Sequence, residues 1–171
     1  ECTTYMLERL NDQDKLTRVM FVCMGNICRS PLAEGVFRHL AREAGVLDEF
    51  DIASSGTGGW HAGQRPDSRM NQVALKNGVS MEGQYAQQFE FGDLDEYDLI
   101  LVMDKDNLYN VKHMDAGNKH AEKIKLFRSF DPEPGNMEVP DPYYGGPRGF
   151  DDVYNMVDRT CRALLAHLTD D

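Results

Sequence analysis

Residues 19–31 read Val19-Met20-Phe21-Val22-Cys23-Met24-Gly25-Asn26-Ile27-Cys28-Arg29-Ser30-Pro31, and the change of character along this stretch decides the fold. Val19 to Val22 is an apolar run with the length and β-propensity of a buried strand. Pro31 then opens a helix over 32–44, where Leu32, Val36, Phe37 and Leu40 recur at helical spacing and Gly45 marks the stop. Cys23 to Ser30 is therefore a strand-to-helix loop, the place where an α/β sheet presents backbone N–H groups to an anion.

The same alternation continues outward. Phe50 and residues 52–55 read as a second strand, and Pro66 opens a helix to about Asn77 with Gly78 as its cap. Residues 98–103 form the strongest buried-strand run, followed by Asp104 as the N-cap of a helix to about His113. Residues 123–127 alternate as a last, half-exposed strand, whereas 79–92 are polar and irregular. A closing helix over 150–168 places Val153, Met156, Val157, Cys161, Leu164, Leu165 and Leu168 on one face. Four strands alternating with helices predict a three-layer α/β/α fold, a four-stranded parallel sheet doubly wound in the Rossmann/flavodoxin-like manner. Its crevice is expected outside the strand carboxyl ends, with Cys23 and the loops at 54–60 and 104–107 on one rim.

Composition narrows the function classes. At 171 residues the chain suits one domain over 17–171, preceded by an extension at 1–16 with no signal-peptide layout. A net charge of −11 argues against nucleic-acid binding and means that an anionic substrate needs a local positive pocket. No stretch approaches the ~20 apolar residues of a membrane span, so no membrane partner is expected. Cys2, Cys23, Cys28 and Cys161 form neither a disulfide scaffold nor a zinc pattern, which points to a reducing, cytoplasmic compartment. The five histidines are scattered and read as surface or helix residues, so neither a metal nor a cofactor is expected.

The loop residues are suited to reaction as well as binding. Successive N–H groups can converge on a phosphate-sized oxyanion, and Arg29 can close the ring with a planar fork onto two of its oxygens. The positive field and the helix N-terminus favour a thiolate at Cys23, to which the Ser30 hydroxyl can donate. Gly25 permits backbone angles that a side chain resists, and Asn26 tolerates positive φ. A thiolate attacking phosphorus also needs a proton donor for the leaving oxygen. Candidates lie in the stretch 129–149, which holds five of the seven prolines: Asp131, Glu133, Glu138 and Asp141. Asp141 stands out because Pro140 and Pro142 stiffen its backbone, and Tyr143 and Tyr144 beside it, like Trp60, suit the wall of an aromatic pocket.

Residues 22–31, together with Asp141-Pro142-Tyr143-Tyr144 in that order, resemble the low-molecular-weight protein tyrosine phosphatase family. The likeness runs from about Arg18 to the C-terminus. It implies hydrolysis of phosphotyrosine in protein substrates, and of small aryl phosphates, through a phosphocysteine at Cys23. Arg29 then clamps the phosphoryl group, and Asp141 protonates the leaving oxygen. Met24, Gly25, Asn26, Ile27, Cys28 and Ser30 complete the phosphate loop. The resemblance further implies support from Ser54, pocket walls from Trp60, Tyr143 and Tyr144, inhibition by phosphate and vanadate-like oxyanions, and a reversible Cys23–Cys28 disulfide. Some members carry a histidine near Gln84 that supports the loop asparagine. Its absence here leaves Asn26 to another partner, Ser54.

Three rivals remain. A thioredoxin-coupled arsenate reductase needs cysteines between Cys28 and Cys161, where this chain has none. A protein-arginine phosphatase of the same fold has threonine at the position of Ile27. An inactive phosphate-binding module fits poorly with Cys23, Arg29 and Asp141 all present.

Overall fold

The apolar run at 19–22 lies within β1, Thr17–Cys23, which the computed structural model places inside a four-stranded sheet. The structure describes residues 16–144, 146 and 148–169; most of the extension expected at 1–16, with Cys2, lies outside the described residues. β2 (Phe50–Gly56), β3 (Leu99–Val102) and β4 (Ile124–Leu126) complete the sheet in the order β2-β1-β3-β4, with every pairing parallel. The chain winds from β1 to β2 on one side and then crosses to β3 on the other. The topological switch therefore falls between β1 and β3, and Cys23 ends β1 beside it.

Alternation along β1 sends its side chains into both faces. Val19, Phe21 and Cys23 join the layer made by α1 (Arg29–Glu43), α2 (Ser68–Lys76) and α5 (Gly149–Thr169). Met20 and Val22 face the opposite layer with Leu94 of the short α3 (Asp93–Glu96) and Val111 of α4 (Lys105–Met114). Burial on both faces is what a central parallel strand requires, and it explains an apolar run without polar alternation. Directly under the loop, the Phe21 ring meets Phe37 at 5.9 Å and the edge of Phe127 at 5.6 Å. Truncating such a ring costs about 3–5 kcal/mol, so this cluster anchors the floor of the loop.

The boundaries differ from expectation in informative ways. α1 begins at Arg29 rather than Pro31, so Pro31 occupies its third position, where an N–H has no intrahelical partner anyway. α2 begins at Ser68, because Asp67 rather than Pro66 starts it: its side chain accepts the Arg69 N–H at 2.9 Å. The segment 79–92 is not wholly irregular. Gln88 forms a parallel bridge to Gly56 at the end of β2, with Gly56 N–H donating to Gln87 O at 2.8 Å and Phe89 N–H to Gly56 O at 2.7 Å. α5 buries Val153, Val157, Cys161 and Leu164 as the periodicity predicts, and adds Tyr154 and Thr160.

Candidate active site

The loop from Cys23 meets a helix end that has no cap of its own. Cys28 is the N-cap of α1 without a side-chain cap bond, and the first turn carries no acidic residue. The orphan N–H groups and the positive end of the helix dipole are thus directed at the loop. Asn26 takes φ of 56°, the left-handed conformation that asparagine tolerates. Gly25 serves differently from expectation: its φ is not positive, but a Cβ there would stand 2.9 Å from His61 Cδ2. Gly56 has the same role from beneath, since a Cβ would lie 2.7 Å from the Met24 carbonyl. Neighbouring backbone holds the loop peptides. Thr57 N–H donates to Cys23 O, Gly58 N–H to Met24 O and Asp67 N–H to Ile27 O, at 2.9, 2.9 and 2.7 Å.

Cys23 is 3 % exposed at the base of this loop. Its Sγ accepts the Asn26 N–H at 3.2 Å and lies 3.0 Å from Ser30 Oγ. Asn26 Nδ2 donates to Ser30 Oγ at 2.7 Å and to Ser54 Oγ at 3.0 Å, so Ser54 does support the asparagine. A further partner was not legible in the sequence: the Gln87 N–H donates to Asn26 Oδ1 at 3.0 Å, while Gln87 Nε2 donates to Ser54 O at 2.9 Å. Gln84 instead donates to the Pro31 carbonyl at 3.0 Å, bracing α1 rather than Asn26.

Arg29 is fixed on the first turn of α1 and is 4 % exposed. Its Nη1 donates to Asp104 Oδ2 at 2.6 Å and to Val139 O at 3.0 Å. Burial disfavours the guanidinium charge, but Cys23, Asp104 and Asp141 outweigh it and raise the Arg29 pKa. The sequence places Asp104 as a helix cap on the carboxyl rim, and it fills the cap by accepting the Asn107 N–H at 2.8 Å. What the sequence does not show is its bond to Arg29, a contact between segments 75 residues apart.

The four candidate acids separate cleanly. Asp131 is buried, accepting from Arg159 Nε at 2.8 Å, Arg159 Nη2 at 3.0 Å, Arg128 Nε at 3.0 Å and the Glu133 N–H at 2.8 Å. Burial alone would push its carboxyl up, but those donors prevail and hold it well below the usual carboxylate range. Glu133 pairs at the surface with Arg159, and Glu138 accepts the Lys105 N–H at the start of α4. Only Asp141 lines the cleft above Cys23, its Oδ1 accepting the Tyr143 N–H at 3.0 Å. The intervening chain wraps the Arg128 guanidinium, which donates to the Glu138 carbonyl at 2.6 Å and the Glu133 carbonyl at 2.8 Å. Val139 N–H then donates to Met103 O at 2.8 Å, which seats this segment beside the end of β3.

The cleft encloses about 410 Å³, with Cys23, Arg29, Ile27 and Cys28 in its base and Trp60, Asp141 and Tyr143 in its walls. That volume lies within the ~300–1,000 Å³ of small-molecule sites. Met24 and Gly25 also line it; Asn26, Ser30 and Ser54 lie behind, as supports. Trp60 and Tyr143 are 63 % and 61 % exposed, leaving apolar ring surface at the mouth. Tyr144 closes a short turn, Pro142–Tyr144, and its side chain lies outside the described part of the structure. His61, read from the sequence as a surface or helix residue, lines the cleft together with Gln64 and Asp67. Cys28 is buried next to Cys23. Burial chiefly, with Asp67, Cys23 and Asp141 adding to it and Arg29 opposing, pushes its thiol up to about 12.

A sheet with this switch point, and at it a cysteine on an uncapped helix end, a buried arginine and the Asp141 carboxyl in the cleft wall, define a cysteine-dependent phosphatase of the α/β class. Residues 18–171 match the family model described as low molecular weight phosphotyrosine protein phosphatase. The chain is 39 % identical over 150 residues to the low molecular weight protein-tyrosine-phosphatase YfkJ of Bacillus subtilis, covering 88 % of this chain and 94 % of that one. The crystal structure of YfkJ superposes with a TM-score of 0.85, covering 90 % of this chain and 95 % of that one. Drosophila arginine phosphatase gives 0.81 at 30 % identity, over 90 % and 98 % of the two chains. Vibrio vulnificus Wzb in complex with benzylphosphonate gives 0.76 at 28 % identity, over 89 % and 99 %. The chain belongs to the low-molecular-weight protein tyrosine phosphatase family.

Proposed function

We propose that residues 17–171 form one phosphatase domain that hydrolyses phosphotyrosine in proteins, and small aryl phosphates, through a phosphocysteine at Cys23. The observation that carries this reading is the meeting of Cys23, Arg29 and Asp141 in one cleft with aromatic walls. The Cys23 thiolate attacks phosphorus in line with the ester oxygen. As the P–O bond breaks, its electron pair stays on the leaving oxygen, which takes the Asp141 proton. Arg29 and the loop N–H groups meet the charge on the equatorial oxygens. Water then attacks the phosphocysteine and gives a proton to the Asp141 carboxylate, and the S–P bond breaks to release inorganic phosphate. Phosphate and vanadate-like oxyanions are expected to compete for the same cradle; benzylphosphonate bound to the Vibrio protein supports an aryl-sized ligand.

Chemistry through a thiolate needs a reduced cysteine, which supports placement in a reducing, cytoplasmic compartment. Cys28 then guards the site. Peroxide converts the Cys23 thiolate to a sulfenic acid, and the Cys28 sulfur displaces its hydroxyl as water to form a disulfide. With its thiol near 12, Cys28 closes that bond faster as pH rises.

The arginine phosphatase among the relatives makes phosphoarginine the one rival substrate, and the Ile27 side chain at the cleft favours the aryl group over a guanidinium. Turnover of phosphotyrosine and phosphoarginine peptides, measured side by side with EDTA present, is expected to favour phosphotyrosine, and Cys23→Ser is expected to abolish it. Preference for phosphoarginine would reverse the substrate assignment; undiminished turnover by Cys23→Ser would remove the mechanism.

A further inference from the structure

The nucleophile and the acid come from distant parts of the chain, and Arg69 is one point at which their segments meet. Asp67 at the start of α2 donates its N–H to the Ile27 carbonyl of the phosphate loop at 2.7 Å. Its carboxylate holds Arg69: Oδ1 accepts from the Arg69 N–H at 2.9 Å and Nε at 3.3 Å, and Oδ2 from Nη2 at 3.3 Å. From this anchor the guanidinium carbon lies 4.9 Å from the centre of the Tyr143 ring and 4.6 Å from that of Phe150. Tyr143 in turn bonds Asp141 through its N–H. One path of contacts therefore runs Ile27, Asp67, Arg69, Tyr143, Asp141, and the same guanidinium touches Phe150 where the acid segment enters α5.

Arg69 is half exposed, and its charge is already met by Asp67. What it adds is a flat cation placed against two aromatic rings, a weak contact at an exposed site and one that lysine reproduces poorly. A contact that small does not hold the fold together. It is large enough to bias where a short segment rests, and displacing a catalytic group by ~1 Å can cost as much as ~10²-fold in rate.

We propose that Arg69 is a positioning residue for the general acid: it docks the Asp141 segment onto the phosphate loop through Tyr143 and Phe150. The inference rests on Asp141 being the acid. Its test compares kcat/KM for phenyl phosphate, whose leaving group needs a proton, with that for dinitrophenyl phosphate, whose leaving group departs as an anion. For Arg69→Ala we expect a loss of ~10-fold on phenyl phosphate and of no more than about twofold on dinitrophenyl phosphate. Arg69→Lys should behave like Arg69→Ala, and it carries the comparison should the alanine variant fold poorly. In an Asp141→Asn background, Arg69→Ala should cost no more than about twofold, because both changes act on one group.

Equal losses on both substrates, wild-type selectivity in Arg69→Lys, or losses that multiply in the double variant would overturn the proposal. So would a raised KM for acidic phosphopeptides with unchanged leaving-group selectivity, which would make Arg69 a substrate-binding cation. Asp141→Asn alone separates the two assignments. If it lacks leaving-group selectivity, the acid assignment fails; if it shows the selectivity and the Arg69 variants do not, only the role of Arg69 fails.

Discussion

Asp131 and Asp141 belong to the same proline-rich stretch, yet one is a strut and the other the proposed acid. Asp131 is 4 % exposed, and both its oxygens are engaged by Arg128, Arg159 and the Glu133 N–H. A carboxylate with its lone pairs so committed is held ionised and has no proton to give. Asp141 lies at the wall of the cleft, where a substrate oxygen can reach it. The difference shows how a loop of this length stays ordered. Arg128 and Asp131 form its internal core, Val139 pins it to the end of β3, and Asp141 is carried on the far side of that pin.

Exchanging the two roles by mutation is the strongest way to break the contrast. Asp141→Asn is expected to lower kcat/KM on phenyl phosphate by roughly 10²–10⁴ while leaving the thermal midpoint near that of the wild type. Asp131→Asn should do the reverse, costing roughly 3–5 kcal/mol in urea unfolding because two arginines lose their buried partner, with kcat/KM per folded molecule little changed. If Asp131→Asn removed catalysis without loss of stability, the strut assignment would fail.

Acid titration sharpens the same contrast. A carboxyl held low in the native state contributes stability above its unfolded value near 3.9, and that stability is lost as pH falls toward its native value. Between those values the unfolded chain binds the extra proton, so stability should fall on acidification by up to about 1.4 kcal/mol per pH unit for this one group. Urea unfolding from pH 5 downward should show this slope, and Asp131→Asn should flatten it; an unaltered slope would place acid sensitivity elsewhere. The smallest effect is expected at Glu133, whose side chain is 74 % exposed where it pairs with Arg159 at 3.3 Å. Glu133→Gln should change unfolding free energy by less than about 1 kcal/mol, and a larger change would mean that the strut extends to the surface.

Much of the site was legible because it is local. Cys23, Gly25, Asn26, Arg29 and Ser30 are near neighbours in sequence between an apolar strand and a helix, so their order already implies an anion loop. Gly25 shows the limit of that reading. Its requirement is space beneath His61, a residue far along the chain, and not its own backbone angles. Gln87 was invisible for a similar reason: it acts through its backbone N–H, which every residue except proline has.

The amino-acid sequence alone determined the alternating α/β architecture and the anion loop, through periodicity, turn residues and short-range spacing; the pairing of that loop with a proline-framed acid rested on the family resemblance. Tertiary structure decided which carboxyl is free to meet substrate, which residues hold Arg29, and where Arg69 lies. Those outcomes depend on burial and on contacts between segments distant in the chain: Asp104 with Arg29, Arg159 with Asp131, and Tyr143 with Arg69. Burial and charge pairing are properties of the packed neighbourhood, and the neighbours of each carboxyl are settled only once the sheet and its helices have closed around it.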